Sequence, residues 1–193
     1  LFAADLPDQG TITLDGIVLK LKSPRQAIAA GICLLTEDRK SQGLILTQST
    51  QHNFGLPNLA DFSSKGMLVH RREQNRFQHY CETLNIRISD AQQRAETLSG
   101  GNQQKVVLAK WLQSTADVII FDEPTRGIDV GARYEIYQLL NKLSEQGKAI
   151  VMISSDLPEV LAMSDRIVVM REGQVTGILD VKSSPQNVTP EDI

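Results

Sequence analysis

Residues 117–124 read "DVIIFDEP", and this stretch decides the fold class. Its four apolar residues, Val118 to Phe121, do not alternate with polar ones, which is typical of a strand covered on both faces. Two similar stretches, "ICLL" at 32–35 and "AIVMIS" at 149–154, stand between segments with helical signals. Strands that alternate with helices in this way predict an α/β core with a mainly parallel sheet.

The segments around these strands complete the predicted core. A hairpin is expected where apolar and polar residues alternate around Asp15-Gly16, and a second hairpin is expected near the end of the chain. The predicted helices are 23–31, about 101–113, about 131–146 and 157–164, and the predicted hairpins are 10–19 and 166–179.

Between residues 41 and 97 the strand signals vanish. Polar and charged residues surround short apolar groups, and Phe77 and Cys81 recur at helical spacing. We therefore predict a helical insert, a subdomain of about residues 45–97, with an amphipathic helix over 70–86.

The helix predicted in this insert begins with a basic trio, His70 to Arg72. The trio is either a docking patch or the solvated start of a helix. The second interpretation is favoured, because Glu73 and Glu82 soon follow on the same face.

Composition and charge argue against several classes of protein. A chain of 193 residues suits one domain with a small subdomain, and a formal net charge of −3 is unlike that of a free-standing nucleic-acid binder. Cys33 and Cys81 lie in unrelated segments, which suggests neither a metal site nor a disulfide and fits a reducing compartment. No apolar stretch approaches the roughly 18 residues of a membrane span, so any membrane contact is expected through a partner.

Two adjacent carboxylates, Asp122 and Glu123, follow the central predicted strand. Ligands of open parallel sheets bind beyond the carboxyl ends of the strands. Pro124 biases the preceding residue away from the helical region, so an extended Glu123 is expected at the sheet edge. Such a pair suits one residue that holds hydrated Mg²⁺ and one that orients or deprotonates a water. A helix N-terminus that merely carries acidic residues is the less favoured alternative.

A second phosphate signal is "LSGGNQQK" at 98–105. Ser99 offers a hydroxyl, and Gly100 and Gly101 let backbone amides approach an anion at the start of a helix. Taken alone, Ser-Gly-Gly is usually a flexible turn. Followed along the chain by the paired carboxylates, it becomes specific for a nucleotide site.

Longer segments carry a resemblance to a known family: "LSGGNQQKVVLAKWL" (98–112), "VIIFDEPTRGIDVGARYEIY" (118–137) and "SSDLPEVLAMSDRIVVMREG" (154–173). They closely resemble the ATP-binding-cassette (ABC) ATPases and, within them, carbohydrate-import proteins that carry two fused cassettes. "TEDRKSQGL" (36–44) is similar to the motif of the second, C-terminal cassette of those proteins. The resemblance implies a P-loop NTPase-like (RecA-like) core with a small antiparallel β part, and ATP and Mg²⁺ as cofactors.

The resemblance also implies roles for individual positions. The signature motif, which caps ATP bound on a facing cassette, would be Leu98, Ser99, Gly100, Gly101, Asn102 and Gln103. Asp122 would hold magnesium, Glu123 would be the catalytic base, and Asp129 would communicate across the dimer. Glu37 falls at the Q-loop position near the metal, and Ser155 at the catalytic switch position.

Two of these positions depart from the commonest pattern of the family. Glu37 replaces a neutral glutamine and adds negative charge near a triphosphate. Ser155 replaces a histidine and can donate a hydrogen bond but no positive charge. Both changes predict weaker hydrolysis at this cassette's own site, unless neighbouring residues compensate.

The larger departure is the absence of a phosphate-binding loop. The pattern G-x-x-x-x-G-K-[ST] does not occur, because the Gly147-Lys148 pair has Lys142 at the first glycine position and Ala149 at the last. In the family this loop comes just before a stretch like residues 1–10, which read as the tail of a helix. We therefore expect an N-terminally truncated cassette whose signature serves the ATP site of another cassette.

Two functions follow from the resemblance. The first is the ATPase of a bacterial sugar importer, on the cytoplasmic face of the inner membrane, with a second cassette, permease subunits and indirectly a periplasmic sugar-binding protein as partners. The second is a non-catalytic cassette half that supplies the signature, which suits the 193 residues taken alone. A cassette ATPase that acts on DNA or ribosomes is disfavoured, because no long heptad arm or basic tract is present.

Overall fold

The first elements form the predicted hairpin, followed by a short helix. The structure is a computed structural model that describes residue 2 and residues 9–114 and 116–181. Strands β1 (Ile12–Leu14) and β2 (Ile17–Leu19) pair antiparallel across Asp15 and Gly16, whose φ angles are 50° and 78°. Two successive positive φ angles are those of a tight turn whose twist matches the flanking strands. The helix tail predicted for residues 1–10 lies outside the described residues, apart from Phe2, Gln9 and Gly10.

Helix α1 (Pro24–Ala29) leads into strand β3 (Ile32–Leu35). The Ser23 hydroxyl accepts a hydrogen bond from the Gln26 amide, which caps the helix. Strand β3 is followed by a wide helical turn over Arg39–Gly43. The predicted hairpin, helix and strand of the first 35 residues are therefore present.

The next segment is helical but contains a strand pair that the sequence analysis missed. Helix α2 (Thr50–Gly55) and helix α3 (His70–Thr83) flank a two-residue hairpin of β4 (Ser63–Ser64) and β5 (Met67–Leu68). Each strand is too short to show a period, which explains the missed signal. The assignment of residues 45–97 to a separate subdomain stays a prediction.

The expectation for Glu73 was wrong. Its side chain is only 4% exposed, whereas the neighbouring His70 side chain is 72% exposed. Glu73 accepts a hydrogen bond of 3.0 Å from the buried Gln51 amide. A Cβ at Gly55 would lie 1.9 Å from the Glu73 carboxylate, so the missing side chain of Gly55 makes room for it. Glu73 is thus a packed polar group of this segment, and its Oε2 lies 3.8 Å from Nδ1 of His70, the first residue of the basic trio.

The second half of the chain alternates between helix and strand as predicted. Its elements are α4 (Gly100–Leu112), β6 (Val118–Asp122), α5 (Val130–Glu145), β7 (Ala149–Ile153), α6 (Leu157–Met163), β8 (Arg166–Arg171) and β9 (Gln174–Asp180). Strands β8 and β9 form an antiparallel hairpin.

Strand β6 is the centre of the parallel sheet. It pairs with β3 on one side, with Leu35 opposite Phe121, and with β7 on the other, with Ile153 opposite Asp122. Ile119 and Phe121 pack into the large core cluster on one face, while Ile120 packs with Ile32 and Ala27 on the other. Burial on both faces explains the uninterrupted apolar run, and the register brings the loops after β3, β6 and β7 to one edge.

Candidate functional site

The two carboxylates predicted from "FDEP" lie at the carboxyl end of β6. Asp122 is the last residue of the strand, and Glu123 begins the turn that follows. Burial raises the pKa of the Asp122 carboxyl, and the negative charges of Glu37 and Glu123 raise it further. Glu37 and Glu123 are therefore near enough to Asp122 to disfavour its ionisation.

Glu123 is not extended, contrary to the expectation from Pro124. Its φ angle is 47°, in the left-handed region that residues other than glycine seldom adopt. The Glu123 amide donates to the Ile153 carbonyl at 2.9 Å, which extends the pairing of β6 with β7 by one residue. The Glu123 carbonyl accepts from the Arg126 amide at 3.1 Å. The chain must turn sharply while Glu123 still pairs with β7, and this requirement overrides the bias from proline.

Ser155 meets Glu123 across the end of the sheet. The Ser155 amide donates to Glu123 Oε1 at 2.8 Å, so the switch position holds the candidate base through its backbone. The preceding Ser154 hydroxyl donates to Glu159 Oε2 at 2.5 Å, and Glu159 is 2% exposed. Beyond it, Arg133 is paired with Asp156 at 2.6 Å. These contacts attach the Ser155 loop to helices α5 and α6.

Glu37 does not stand as an uncompensated charge. Its Oε2 accepts from Arg126 Nη1 at 3.0 Å, although both side chains are half exposed or more. An exposed pair of this kind contributes little to stability. Its effect here is local, because it places a positive charge beside the carboxylate that departs from the family pattern.

The signature residues form the start of helix α4. The Ser99 hydroxyl caps the helix and accepts from the Asn102 amide at 3.4 Å and from the Asn102 side chain at 3.1 Å. Gly100 and Gly101 occupy the first turn, where backbone amides have no partner within the helix. This turn therefore directs amide donors and the positive end of a helix dipole to one spot, as anion binding requires.

The two ends of the signature segment are engaged within the protein. Leu98 is 9% exposed and belongs to the large core cluster. Gln103 is 3% exposed, and its side-chain amide donates to the Ala95 carbonyl at 2.9 Å. Their side chains hold the segment in place, whereas Ser99 is exposed and Gly100 is half-buried.

Asp129 lies at the start of helix α5. It is exposed, and its Oδ1 accepts from the Ala132 amide at 2.9 Å, as a helix cap does. The neighbouring Val130 is 84% exposed. The position predicted to communicate across a dimer is thus at the surface, next to an exposed apolar side chain.

Arg39 and Arg126 were not selected from the sequence, although both lie in this site. Arg126 pairs with Glu37, and Arg39 contacts the loop after Asp122 through backbone carbonyls. The only sequence feature that could have pointed to these two arginines is the charged composition of their segments, "TEDRK" for Arg39 and "PTRGID" for Arg126. Because backbone acceptors leave no trace in a sequence, the partners of Arg39 could not be read from it.

The negative charge at the end of β6 suits a divalent cation. Burial, and then the negative charges of Glu37 and Glu123, raise the pKa of Asp122, and a bound cation would relieve the repulsion between these charges. Within residues 9–114 and 116–181, no group of three or more His, Cys, Asp or Glu side chains is arranged to hold a metal by itself. The carboxylates therefore fit a cation that brings other ligands with it, as Mg²⁺ does when it is bound to a nucleotide.

Comparisons with known proteins find one matching family and several similar relatives. The family described as ABC transporter matches residues 1–126. The ribose import ATP-binding protein of Oceanobacillus iheyensis is 51% identical over 93% of this chain and 36% of its own length. The corresponding protein of Bacillus subtilis strain 168 is 46% identical over 96% of the chain and 38% of its length. A putative ribose/galactose/methyl galactoside import ATP-binding protein of Rhizobium etli is 50% identical over 93% of the chain and 34% of its length.

Solved structures show the same fold at lower identity. A dimeric ATP-binding cassette in a post-hydrolysis state, bound to ADP and phosphate, aligns with a TM-score of 0.77 at 23% identity, over 93% of this chain and 77% of that one. A nucleotide-free cassette from an ABC transporter aligns with a TM-score of 0.78 at 20% identity, over 93% and 72%. The predicted P-loop NTPase-like core is confirmed as an ATP-binding-cassette fold.

The chain spans little more than a third of the length of its curated relatives.

Proposed function

Because this chain belongs to the ABC transporter family, we propose that it is most of the second ATPase cassette of a bacterial carbohydrate importer. The whole protein would bind MgATP, hydrolyse it and couple hydrolysis to sugar uptake. The observation that carries the proposal is the convergence of Asp122, Glu123, Glu37 and Ser155 at one sheet edge. The curated relatives, which are import ATP-binding proteins for ribose and related sugars, support the choice of substrate class.

The chain's own residues would divide the work at this edge. Glu123 is held by the Ser155 amide and would accept a proton from the attacking water, while Asp122 and Glu37 would hold Mg²⁺. The ion would supply positive charge for the phosphate oxygens. Gly100 and Gly101, with Ser99, Asn102 and Asp129, would face the nucleotide bound on a second cassette. In this arrangement most of the rate enhancement comes from positioning and electrostatics.

The partners and location follow from the same proposal. A second cassette would complete each ATP site, and membrane permease subunits would receive the motion; a periplasmic binding protein would act through them. No described helix is both long and apolar enough to cross a bilayer. We propose that the protein is peripheral, on the cytoplasmic face of the bacterial inner membrane.

The proposal is tested in a chimera, in which the matched segment of the Bacillus subtilis relative is replaced by this chain. Hydrolysis of MgATP by the purified chimera, and ribose-dependent growth of a strain that depends on it, are the two measurements. Activity in both supports an importer ATPase. Hydrolysis equal to that of the same chimera carrying Glu123→Gln would contradict a catalytic cassette and favour the non-catalytic half.

The non-catalytic alternative also predicts how the 193 residues bind nucleotide by themselves. They contain no G-x-x-x-x-G-K-[ST] sequence, so a calorimetric titration with MgATP is expected to detect no binding at micromolar concentration. Micromolar binding would mean that other residues of this chain grip the phosphates.

A further inference from the structure

Arg39 lies where three separate segments of the site meet. Its Nη1 donates to the Arg126 carbonyl at 3.0 Å and its Nη2 to the Gly127 carbonyl at 3.2 Å. Its Nε donates to Gln103 Oε1 at 3.4 Å. One guanidinium therefore joins the turn after β3, the signature helix α4 and the loop between β6 and α5.

The space around this guanidinium is filled. A Cβ at Gly100 would lie 2.7 Å from Arg39 Nη2 and 3.1 Å from the Gly127 carbonyl. The signature backbone thus approaches the guanidinium more closely than any other residue type would allow. Gly127, whose carbonyl accepts from Arg39, has a φ angle of 67°, a conformation that suits glycine.

The partners of Arg39 are themselves fixed. Gln103 is buried and already bonded to the Ala95 carbonyl, so its remaining side-chain oxygen faces the guanidinium. At its other end the turn is also held, since the buried Lys110 donates to the Gly43 carbonyl at 2.7 Å. Burial lowers the pKa of Arg39, although the nearby Asp38 opposes this effect. Arginine keeps its charge under such conditions and offers several donors in a planar fork.

We propose that Arg39 is a positioning residue that fixes the signature segment 98–103 relative to the loop 126–129. Both segments are assigned by the proposed function to the nucleotide of a facing cassette, and the inference rests on that function. A single guanidinium would then deliver two contributions to the partner site as one unit, because neither segment can shift without breaking a hydrogen bond to it.

The first test measures the positioning itself, by amide hydrogen exchange on the chimera defined above. Arg39→Gln is expected to accelerate exchange in peptides that cover 124–129 and 99–103, while the sheet keeps its protection. The matched control is Arg94→Gln, which removes an arginine whose side chain is 66% exposed and pairs with nearby Glu96 at 3.4 Å in a surface contact. Equal exchange in the two variants would overturn the proposal.

The second test separates positioning from folding by steady-state hydrolysis. Losing hydrogen bonds to a charged group corresponds to roughly a ten- to hundredfold effect, so Arg39→Gln should lower kcat/KM by about that factor, mainly through a higher KM for ATP. A merely structural loss would remove active molecules and lower kcat with KM unchanged, which would overturn the proposal.

Arg39→Lys keeps the test decisive if the glutamine variant does not fold. Lysine retains the charge but cannot bridge two carbonyls and Gln103 at once, so an intermediate rise in KM is expected. A KM equal to that of the unchanged chimera would overturn the proposal. If the unchanged chimera hydrolyses no ATP, the proposed function fails, and the exchange experiment alone still decides whether Arg39 positions the two segments.

Discussion

The two sides of the Asp122 strand end are held in different ways. On the β3 side, the turn after β3 is joined to the loop after β6 by side chains, through the Glu37–Arg126 pair and the Arg39 guanidinium. On the β7 side, main-chain amides are the donors, because the Glu123 amide bonds to the Ile153 carbonyl and the Ser155 amide donates to the Glu123 carboxylate.

The contacts on the two sides therefore respond differently to the substitution of a side chain. On the β7 side, the backbone bond from Glu123 to Ile153 persists as long as the strands pair, and the Ser155 amide keeps its acceptor when Glu123 is replaced by glutamine, so that substitution changes chemistry more than position. Side-chain contacts on the β3 side can be removed one at a time, and each removal releases a loop. The predictions that follow test this contrast, from the largest expected effect to the smallest.

Replacing Glu123 by glutamine should have the largest effect. Glutamine keeps an oxygen that accepts from the Ser155 amide, so the loop stays in place while the base is lost. MgATP hydrolysis by the chimera is expected to fall by about 10²- to 10⁴-fold. The control is Asp117→Asn, near the opposite end of β6, where the side chain is 76% exposed and pairs with Lys148. Turnover that survives Glu123→Gln would remove Glu123 from the catalytic role.

On the same β7 side, Ser154→Ala should lower stability. The hydroxyl is a donor to the buried Glu159 carboxylate, and its loss leaves that charge less well bonded. We expect the free energy of unfolding to fall by about 1.5–3 kcal/mol in chemical denaturation. Ser155→Ala, next to it and exposed, serves as the stability control and should change little. Equal stabilities of the two variants would show that the Glu159 contact contributes nothing.

On the β3 side, Gly100→Ala tests how tightly the signature turn is packed. The added methyl group would meet Arg39 and the Gly127 carbonyl, and the guanidinium end can move while the backbone cannot. A loss of about 1–2 kcal/mol in the free energy of unfolding is expected. Gly177→Ala is matched to it, because a Cβ there would meet nothing within 4 Å. If Gly100→Ala is as stable as Gly177→Ala, a methyl group fits between Arg39 and the Gly127 carbonyl, and the tight packing of the signature turn is contradicted.

The smallest predicted effect is a pH dependence on the β3 side. Burial lowers the pKa of Lys110 to about 8 from 10.5, so the unfolded chain binds more protons than the folded one between these values. Below pH 8 the folded protein holds Lys110 buried in its charged form, which lowers the free energy of unfolding. As pH increases from 8 toward 10.5 Lys110 is neutral in the folded protein, and the free energy of unfolding rises. The rise between pH 8 and 9 should be about 1 kcal/mol.

This rise is measured as the difference in unfolding free energy between the unchanged protein and Lys110→Met. The comparison is needed because burial raises the pKa of Cys33 to about 12 and, with the Glu82 charge, that of Cys81 to about 11. These thiols make stability fall as pH rises above 9, the opposite direction. A difference that does not change between pH 8 and 9 would contradict the lowered pKa of Lys110.

Much of the fold could be read from the sequence, because its signals are local. The uninterrupted apolar run before Asp122 identified the central strand, and the Ser23 and Gly31 signals bounded the first helix. The β4 and β5 strands were missed because two residues show no period. Glu73 was misplaced because its burial depends on the space left by Gly55, eighteen positions earlier in the chain.

For the site, the sequence by itself determined which chemical groups are present: two carboxylates after a strand, a Ser-Gly-Gly helix start and an acidic residue in "TEDRK". Only the tertiary structure decided how they are held. The left-handed Glu123 follows from the pairing of β6 with β7, and the three contacts of Arg39 reach residues more than sixty positions away. Residue type is a local property of a chain, whereas the partner of a side chain depends on which backbone the fold brings beside it.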